Sequence, residues 1–509
     1  MFNSIFIKMK TRSFLPVALF ATALGMSFTA CSDDDNNAPE TPAEAYVWGT
    51  DGSIKTCDHL LFDADGRENV SGTVIGNGDK EFIFKGKQTL KKGTYLLRGW
   101  VYVAAGSELT IEPGTIIKGE KESAASLIVE PGAKIYAQGT ATQPIVFTSA
   151  QPKGSRRPGD WGGLIVCGNG LNNKGVLGQQ IEGGPRTKHG GNDAADNSGV
   201  LSYVRVEFAG YPFQKDKEIN GITFGSVGSG TTVDHLQVSY SNDDSFEWFG
   251  GSVNCKNLVA FNGWDDEFDT DNGFSGAVEY ALSIRDPRIA DTSQSNGFES
   301  DNNASGAETT PFTSATFKHV TFIGPRTARN SDFENSSSYI TAGSLYPDNG
   351  SKLGRFQAAM HLRRSTQLNA TGVLAVGYPV GLILDGEKGN TVQYASQGKL
   401  SLKNIIFAGM DVIGTDKNKE YNDYLFDYTT GTADETRPSF SHTFFLSEAT
   451  NRIRTEAELA LTDPAGTGQN YCPSTALSDG QGGYIGAFRD ASDNWLEGWT
   501  NFDPRNTVY

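Results

Sequence analysis

Cysteine is scarce: five in 509 residues, with no CxxC pair. Cys31, Cys57, Cys167, Cys255 and Cys472 lie far apart, which argues against a zinc cluster built on paired thiolates. An oxidising compartment permits disulfides, but spacing alone pairs none of them. Cys255 sits in an alternating apolar run and reads as a buried thiol. Positive charge is also short. The 43 Lys and Arg face 60 Asp and Glu, a formal net charge of −17, the wrong balance for a nucleic-acid binder. Helical periodicity is nearly absent after the first thirty residues, which excludes a helical bundle. The apolar stretch from Phe14 to Ala30 has 17 residues with Pro16 inside, short for a membrane span.

That stretch suits the core of a signal peptide instead. Lys8, Lys10 and Arg12 precede it, and small residues end it in "SFTAC". Phe28, Thr29 and Ala30 before Cys31 resemble a bacterial lipobox. Residues 1–30 are therefore expected to be a signal peptide and Cys31 the lipidated N-terminus. Residues 31–45 form an acidic, Pro-containing linker. Its "CSDDDNN" start resembles the surface-export signal of Bacteroidetes lipoproteins.

Glycine is plentiful, at 60 residues, and short alternating runs end in Gly, Asn or Asp. One phrase recurs: "DHLQVSYSN" (234–242), "KNLVAFNG" (256–263), "KHVTFIG" (318–324), "KNIIFAG" (403–409). Phe224, Phe246 and Phe268 are each 22 residues apart. So are Leu236, Leu258 and Tyr280, and Val238, Ala260 and Leu282. Three columns at one period point to an all-β, right-handed parallel β-helix whose coils stack at about 4.8 Å. Two "EPG" turns, at Glu112 and Glu130, lie 18 residues apart, so the early coils are shorter. A solenoid needs its open strand edges covered. Residues 46–93 are expected to form an N-terminal cap, 94–443 the β-helix, and 444–509 a capping region closing the last coil.

The phrases "LTIEPGTIIKG" and "GDWGGLIVCG", the acidic coils, and the ending "GAFR…NWLEGWTNFDP" together resemble a family of bacterial outer-membrane lipoproteins. That family includes a leptospiral lipoprotein and many Bacteroidetes proteins. The resemblance implies a lipid-anchored, surface-exposed β-helix on the outer membrane, often beside a TonB-dependent receptor. It carries no catalytic residues over.

The densest charge is "WDDEFDTDNG" (264–273), five acids in ten residues. If Phe246, Phe268 and Phe298 point inward, their neighbours point outward. Glu247, Asp269 and Glu299 then form one column, Asp271 and Asp301 a second, Asp243 and Asp265 a third. Carboxylates about 5 Å apart repel by roughly 3 kcal/mol per pair at an effective dielectric of ~20. Calcium, which accepts six to eight oxygens, is the expected remedy, with Glu247, Asp269, Asp271, Glu299 and Asp301 as its ligands. Trp248 and Trp264, with Asp243 and Asp265, are the expected contacts for a glycan. Solvated turns are the plainer reading of the same acids.

Two enzymatic readings compete. "NDD" (242–244) and "DTD" (269–271) resemble the paired aspartates of β-helical polygalacturonases, but the order is reversed and no Gly-His-Gly follows. A polysaccharide lyase would need calcium and a basic group, for which "HLRRS" offers His361, Arg363 and Arg364. The preferred expectation is a non-enzymatic surface lipoprotein that captures a glycan or cation or docks to a receptor. A lyase is the alternative, and a purely structural surface protein a third.

Overall fold

The computed structural model describes residues 56–214, 217–326 and 332–509. The signal peptide, Cys31, the linker and the first residues of the expected cap lie outside the described residues. The rest is a stack of coils. Twelve strands form one sheet and sixteen another, and successive coils pair in parallel along both. The expected parallel β-helix is observed.

Early coils have three separate faces. Lys134–Gln138 and Ile145–Ser149 are distinct strands. They both pair with one later strand, Gly199–Glu207. From there on each coil carries one long strand that bends in the middle. The bend residues Tyr203, His235, Asn257, Tyr280, His319 and Asn404 are left-handed, with φ of 51–63°. Gly372 takes the same place at φ 69°. The rings stack along the bend, Tyr203 on His235 at 4.3 Å and Tyr280 on His319 at 5.4 Å.

The expected columns hold in part. Phe246, Phe268 and Phe298 are direct partners on successive coils, all fully buried. Phe224 is not in that column. Its partner is Trp248, because Ile222 faces Phe246. Leu236 faces Leu258, which faces Ala281 rather than Tyr280. Ala260 likewise faces Ser283, and Leu282 points outward. The coils vary in length, so a constant period drifts by one or two residues.

Both ends differ from expectation. Phe82–Phe84 and Lys87–Leu90 already stack in parallel on the next coil, so the last part of the expected N-terminal cap is solenoid. The stack is closed there by an antiparallel pair, Leu61–Phe62 with Val74–Ile75, whose side chains are buried in the main core. At the other end helix α1 (Phe440–Ser447) closes the interior. Ser439 caps it, accepting from His442 N at 2.9 Å. Asp416 accepts the N–H groups of Phe440 and Ser441 at 2.7 and 2.8 Å. Such capping satisfies the orphan donors of a first turn. Phe445 stacks on Phe407 at 4.2 Å.

The C-terminal segment does not close the last coil. It runs back along the outside of the larger sheet. Ala487 N donates to Thr321, the Gln237 side chain pairs with the Asn501 backbone, and Tyr509 donates to Glu207. These partners descend the coil order. The reason is that the sheet is apolar on both faces. Val259, Leu282, Ile323, Leu374 and Ile406 point outward and bury Phe488, Leu496 and Trp499 against them. An exposed apolar face of that size would otherwise invite association.

Candidate functional site

Five strands of the twelve-stranded sheet build the site: β1 (Ile222–Gly225), β2 (Phe246–Phe249), β3 (Phe268–Asp271), β4 (Phe298–Ser300) and β5 (Ala358–Leu362). Their inward residues hold the core. Outward, Glu247 faces Asp269, Asp269 faces Glu299, and Glu299 faces His361. Just before each strand the chain turns a corner, and a second ladder forms there. Asp266 N donates to Asp244 Oδ1 at 2.8 Å, and Asn296 N to Asp266 Oδ1 at 2.5 Å. Ala358 N then donates to Asn296 Oδ1 at 3.0 Å. Each corner side chain thus takes the backbone N–H of the next coil, as Asp and Asn favour.

The two ladders line one side of a cleft of about 450 Å³. Asp243, Asp244, Glu247, Asp265, Asp266 and Asp269 all reach it. Glu182 and Glu218 add negative charge from neighbouring hairpins. Phe213 is the one aromatic side chain in the lining, and exposed Lys352 stands at the rim. Burial, then the surrounding carboxylates, push the pKa of each of the six acids well above the usual range. Among the described residues none of the six forms an ion pair with Lys, Arg or His. Glu247 accepts from Asn220, and Asp265 Oδ2 from Ser293 Oγ at 2.6 Å. Asp269 Oδ1 and Asp265 Oδ1 have no hydrogen-bond partner. Asp269 is only 8% exposed.

The neighbouring Glu299 is held differently. Arg363 donates to it from the next coil, and His361 Nδ1 lies 3.3 Å away. Against its burial, these cations pull the Glu299 pKa down to about 2. Asp301 accepts from Arg363 Nε at 3.0 Å and Arg364 Nη1 at 3.1 Å. His361 is itself wedged between Glu299 and Asp385, the latter at 3.7 Å. The two carboxylates hold its imidazole above the ordinary range despite burial.

Each expected site residue among the described ones therefore has a definite place. The columns Glu247–Asp269–Glu299 and Asp243–Asp265 are brought together. Glu299 and Asp301, expected as cation ligands, are already neutralised by arginines. Asp271 and Asp301 lie outside the cleft lining. Trp248 and Trp264 are corrected. Both are fully buried. Trp248 shares the inward face of β2 with Phe246 because residues two apart point the same way. It stacks on Phe224, Phe246 and Phe274. Trp264 packs on Ile289 and Ala342 and donates to Asp291 at 3.1 Å. Neither offers a ring to a ligand.

Asp244 and Asp266 were not among the expected ligands. They lie 22 residues apart, the same spacing as the other columns, and stand two positions before an inward Phe. Gln357 and Lys352 follow a long insertion and carry no such signal.

Carboxylate oxygens alone suit a hard cation. One oxygen each from Asp244, Glu247 and Asp269 lie within 4.8 Å of one another, and so do oxygens from Asp243, Asp244 and Asp265. The four cysteines among the described residues are free thiols, Cys255 buried as expected, and none belongs to either set.

A family model for a pectate-lyase-like beta helix domain matches residues 82–445, more than half of the chain. The match begins at the first regular strand and ends at the Phe445 plug. No curated protein matches the chain.

Proposed function

The chain belongs to the pectate-lyase-like beta helix domain family, and on that premise we propose that its acidic cleft binds calcium and, through it, a glycan. A carbohydrate-related or surface role fits the family. The finer reading joins the cleft to the leader. Cys31 would carry the lipid that holds the protein at the outer membrane, facing outward, with a TonB-dependent receptor as neighbour. Bound calcium would be held by Asp244, Glu247 and Asp269, and the remaining positions of its six to eight would be open to sugar hydroxyls or carboxylates.

One observation carries this reading. Asp269 Oδ1 is buried in the cleft with no donor, beside oxygens of Asp244 and Glu247. An ionised carboxylate in that setting is costly unless a cation or proton relieves it.

The test is retention on a panel of immobilised neutral and uronic-acid polysaccharides, in calcium and in EGTA. Wild type should be retained in calcium only, and the Asp244→Asn/Asp269→Asn variant in neither. Equal retention in EGTA, or by the variant, would overturn the reading.

A lyase is the second reading, favoured by His361 and Arg363 lining the same cleft. Its weakness is that both are engaged by Glu299, with Asp301 and Asp385, which keeps them protonated rather than basic. Ultraviolet absorbance from an unsaturated product, on the same uronic-acid panel, would move the cleft into the lyase class.

A further inference from the structure

Three segments far apart in the chain meet beside the cleft. One is the loop from Gly343 to Lys352, part of the long insertion before β5. The second is the turn at 152–160, and the third is the end of the C-terminal strap. We infer that the loop is a hinged wall of the cleft, latched shut through the turn and the strap, so that strap docking governs how tightly the cleft holds its ligand. That role rests on the glycan reading above and adds its control.

The loop is part of the cleft. Asn349, Gly350, Ser351 and Lys352 line it. Asn242, which precedes Asp243 at the acidic corner, donates from Nδ2 to Ser351 Oγ at 2.7 Å. Gly159 makes room for the loop tip, since a Cβ there would come within 2.4 Å of Asn349 Nδ2. The tip is a preformed unit. Asn349 Oδ1 accepts from Ser351 N and Oγ, and the Tyr346 hydroxyl donates to Ser351 O at 3.0 Å.

Polar contacts to remote segments hold the loop shut. Asp348 pairs with Lys121 Nζ at 2.5 Å and lies 3.9 Å from Arg157 Nη1. Lys121 also faces buried Asp160 at 3.4 Å, which keeps the ammonium in place when Asp348 leaves. Arg505 of the strap donates to Ser344 Oγ at 2.7 Å and to Ser344 O at 3.2 Å. The same side chain donates from Nε to Gly154 O at 3.1 Å, and Gly154 N donates to Arg505 O at 2.8 Å. Arg156 adds bonds from the turn to Pro504 O and Thr507 O. The strap thus grips the turn, and both grip the loop.

The ends of the loop are built to rotate. Ala342 N is fixed on Arg288 O and Gly354 N on Ala290 O, both at 2.8 Å. Inside these points Gly343 and Gly350 take φ of 52° and 100°. At both, no atom outside the adjoining residues lies within 4 Å of an added Cβ. Glycine in open space absorbs backbone rotation without collision. The latch is weak enough to release. Asp348 is 58% exposed in its pair with Lys121, and exposed ion pairs contribute little. Tyr346, whose ring edge meets Trp264 at 6.0 Å, is itself 40% exposed. Segments with few buried contacts open at low free energy.

The test uses the full chain with two single variants, Asp348→Asn on the loop and Arg505→Gln on the strap, circular dichroism confirming each fold. Trypsin cleavage after exposed Lys352, followed by mass spectrometry, reads the open population. Each variant should be cut there about two- to five-fold faster than wild type. A surface control, Glu108→Gln, should match wild type. On the polysaccharide panel in calcium, both variants should elute earlier than wild type from whichever polymer retains it. Unchanged cleavage in either variant would overturn the two-point latch. Faster cleavage with equal or stronger retention would overturn the loop as a wall of the ligand site. A wild type retained on no polymer would overturn the glycan reading and its control by the strap, while the cleavage rates still decide the latch.

Discussion

Asp266 donates its backbone N–H to the Asp244 carboxylate on the preceding coil, at 2.8 Å. This one bond ties the coil corner to the charge of the cleft. Asp244 serves the fold as an acceptor and, on the proposed calcium reading, would serve the cation as an anion.

The two roles separate by substitution. Asp244→Asn keeps the acceptor and removes the charge, so in EGTA its thermal midpoint should equal or exceed that of wild type. Asp244→Leu loses both, leaves the Asp266 N–H unpaired, and should cost about 1–3 kcal/mol in denaturant unfolding. Equal loss in both variants would contradict the assignment.

Trp248 is core, not a sugar platform. Trp248→Ala should cost about 3–5 kcal/mol of stability, while Trp248→Phe should keep whatever ligand wild type binds. Unfolding curves and retention assays on the two variants check this. A stable Ala variant with lost binding would return the ring to the cleft.

The C-terminal strap should matter to the solenoid. Trp499 is 1% exposed and packs in the outer core. Trp499→Ala should cost about 3–5 kcal/mol. Removal of residues 456–509 should expose the outer apolar face and produce aggregation, seen by light scattering. A monomeric truncated chain of unchanged stability would refute the role.

The pH dependence of stability should carry a separate Glu130 contribution. Burial pushes Glu130 up to about 8, against the pull of Arg186. A carboxyl whose folded pKa exceeds its unfolded value stabilises fully below the unfolded value and stops as pH rises through the folded one. Buried His189, held down to about 3, acts the other way as pH rises toward its ordinary value. The comparison with Glu130→Gln isolates the carboxyl. In EGTA the thermal midpoint of wild type should fall relative to that of Glu130→Gln between about pH 4 and pH 8. A difference that stays constant or moves the other way would contradict the shift.

Anchoring is tested at the leader. Cys31→Ala should abolish incorporation of labelled fatty acid and release the protein from the outer-membrane fraction. Unchanged labelling would exclude Cys31.

Much of this fold is legible in the sequence because a β-helix writes its stacking as a period. Phe246, Phe268 and Phe298 show their register through spacing and the same acidic neighbour. Phe224 misleads because the coil between Ile222 and Phe246 is 24 residues, not 22. Trp248 follows from alternation alone once Phe246 is inward. The strap has a signal too: "NLVAF", "GVLAV" and "NIIFA" are continuous apolar runs, as strands buried on both faces require. The arginines on Glu299 and Asp301 could not be placed. Arg363 follows Glu299 by 64 residues, against 22 for a regular coil, and no period crosses that gap.

The most direct measurement is the thermal unfolding of wild type and the Asp244→Asn/Asp269→Asn variant, each in calcium and in EGTA. A specific site adds about 2.7 kcal/mol of stability at a calcium concentration near 100 times Kd. Wild type should melt higher in calcium than in EGTA, and the variant should melt alike in both. A wild-type midpoint indifferent to the chelator would contradict a calcium-holding cleft.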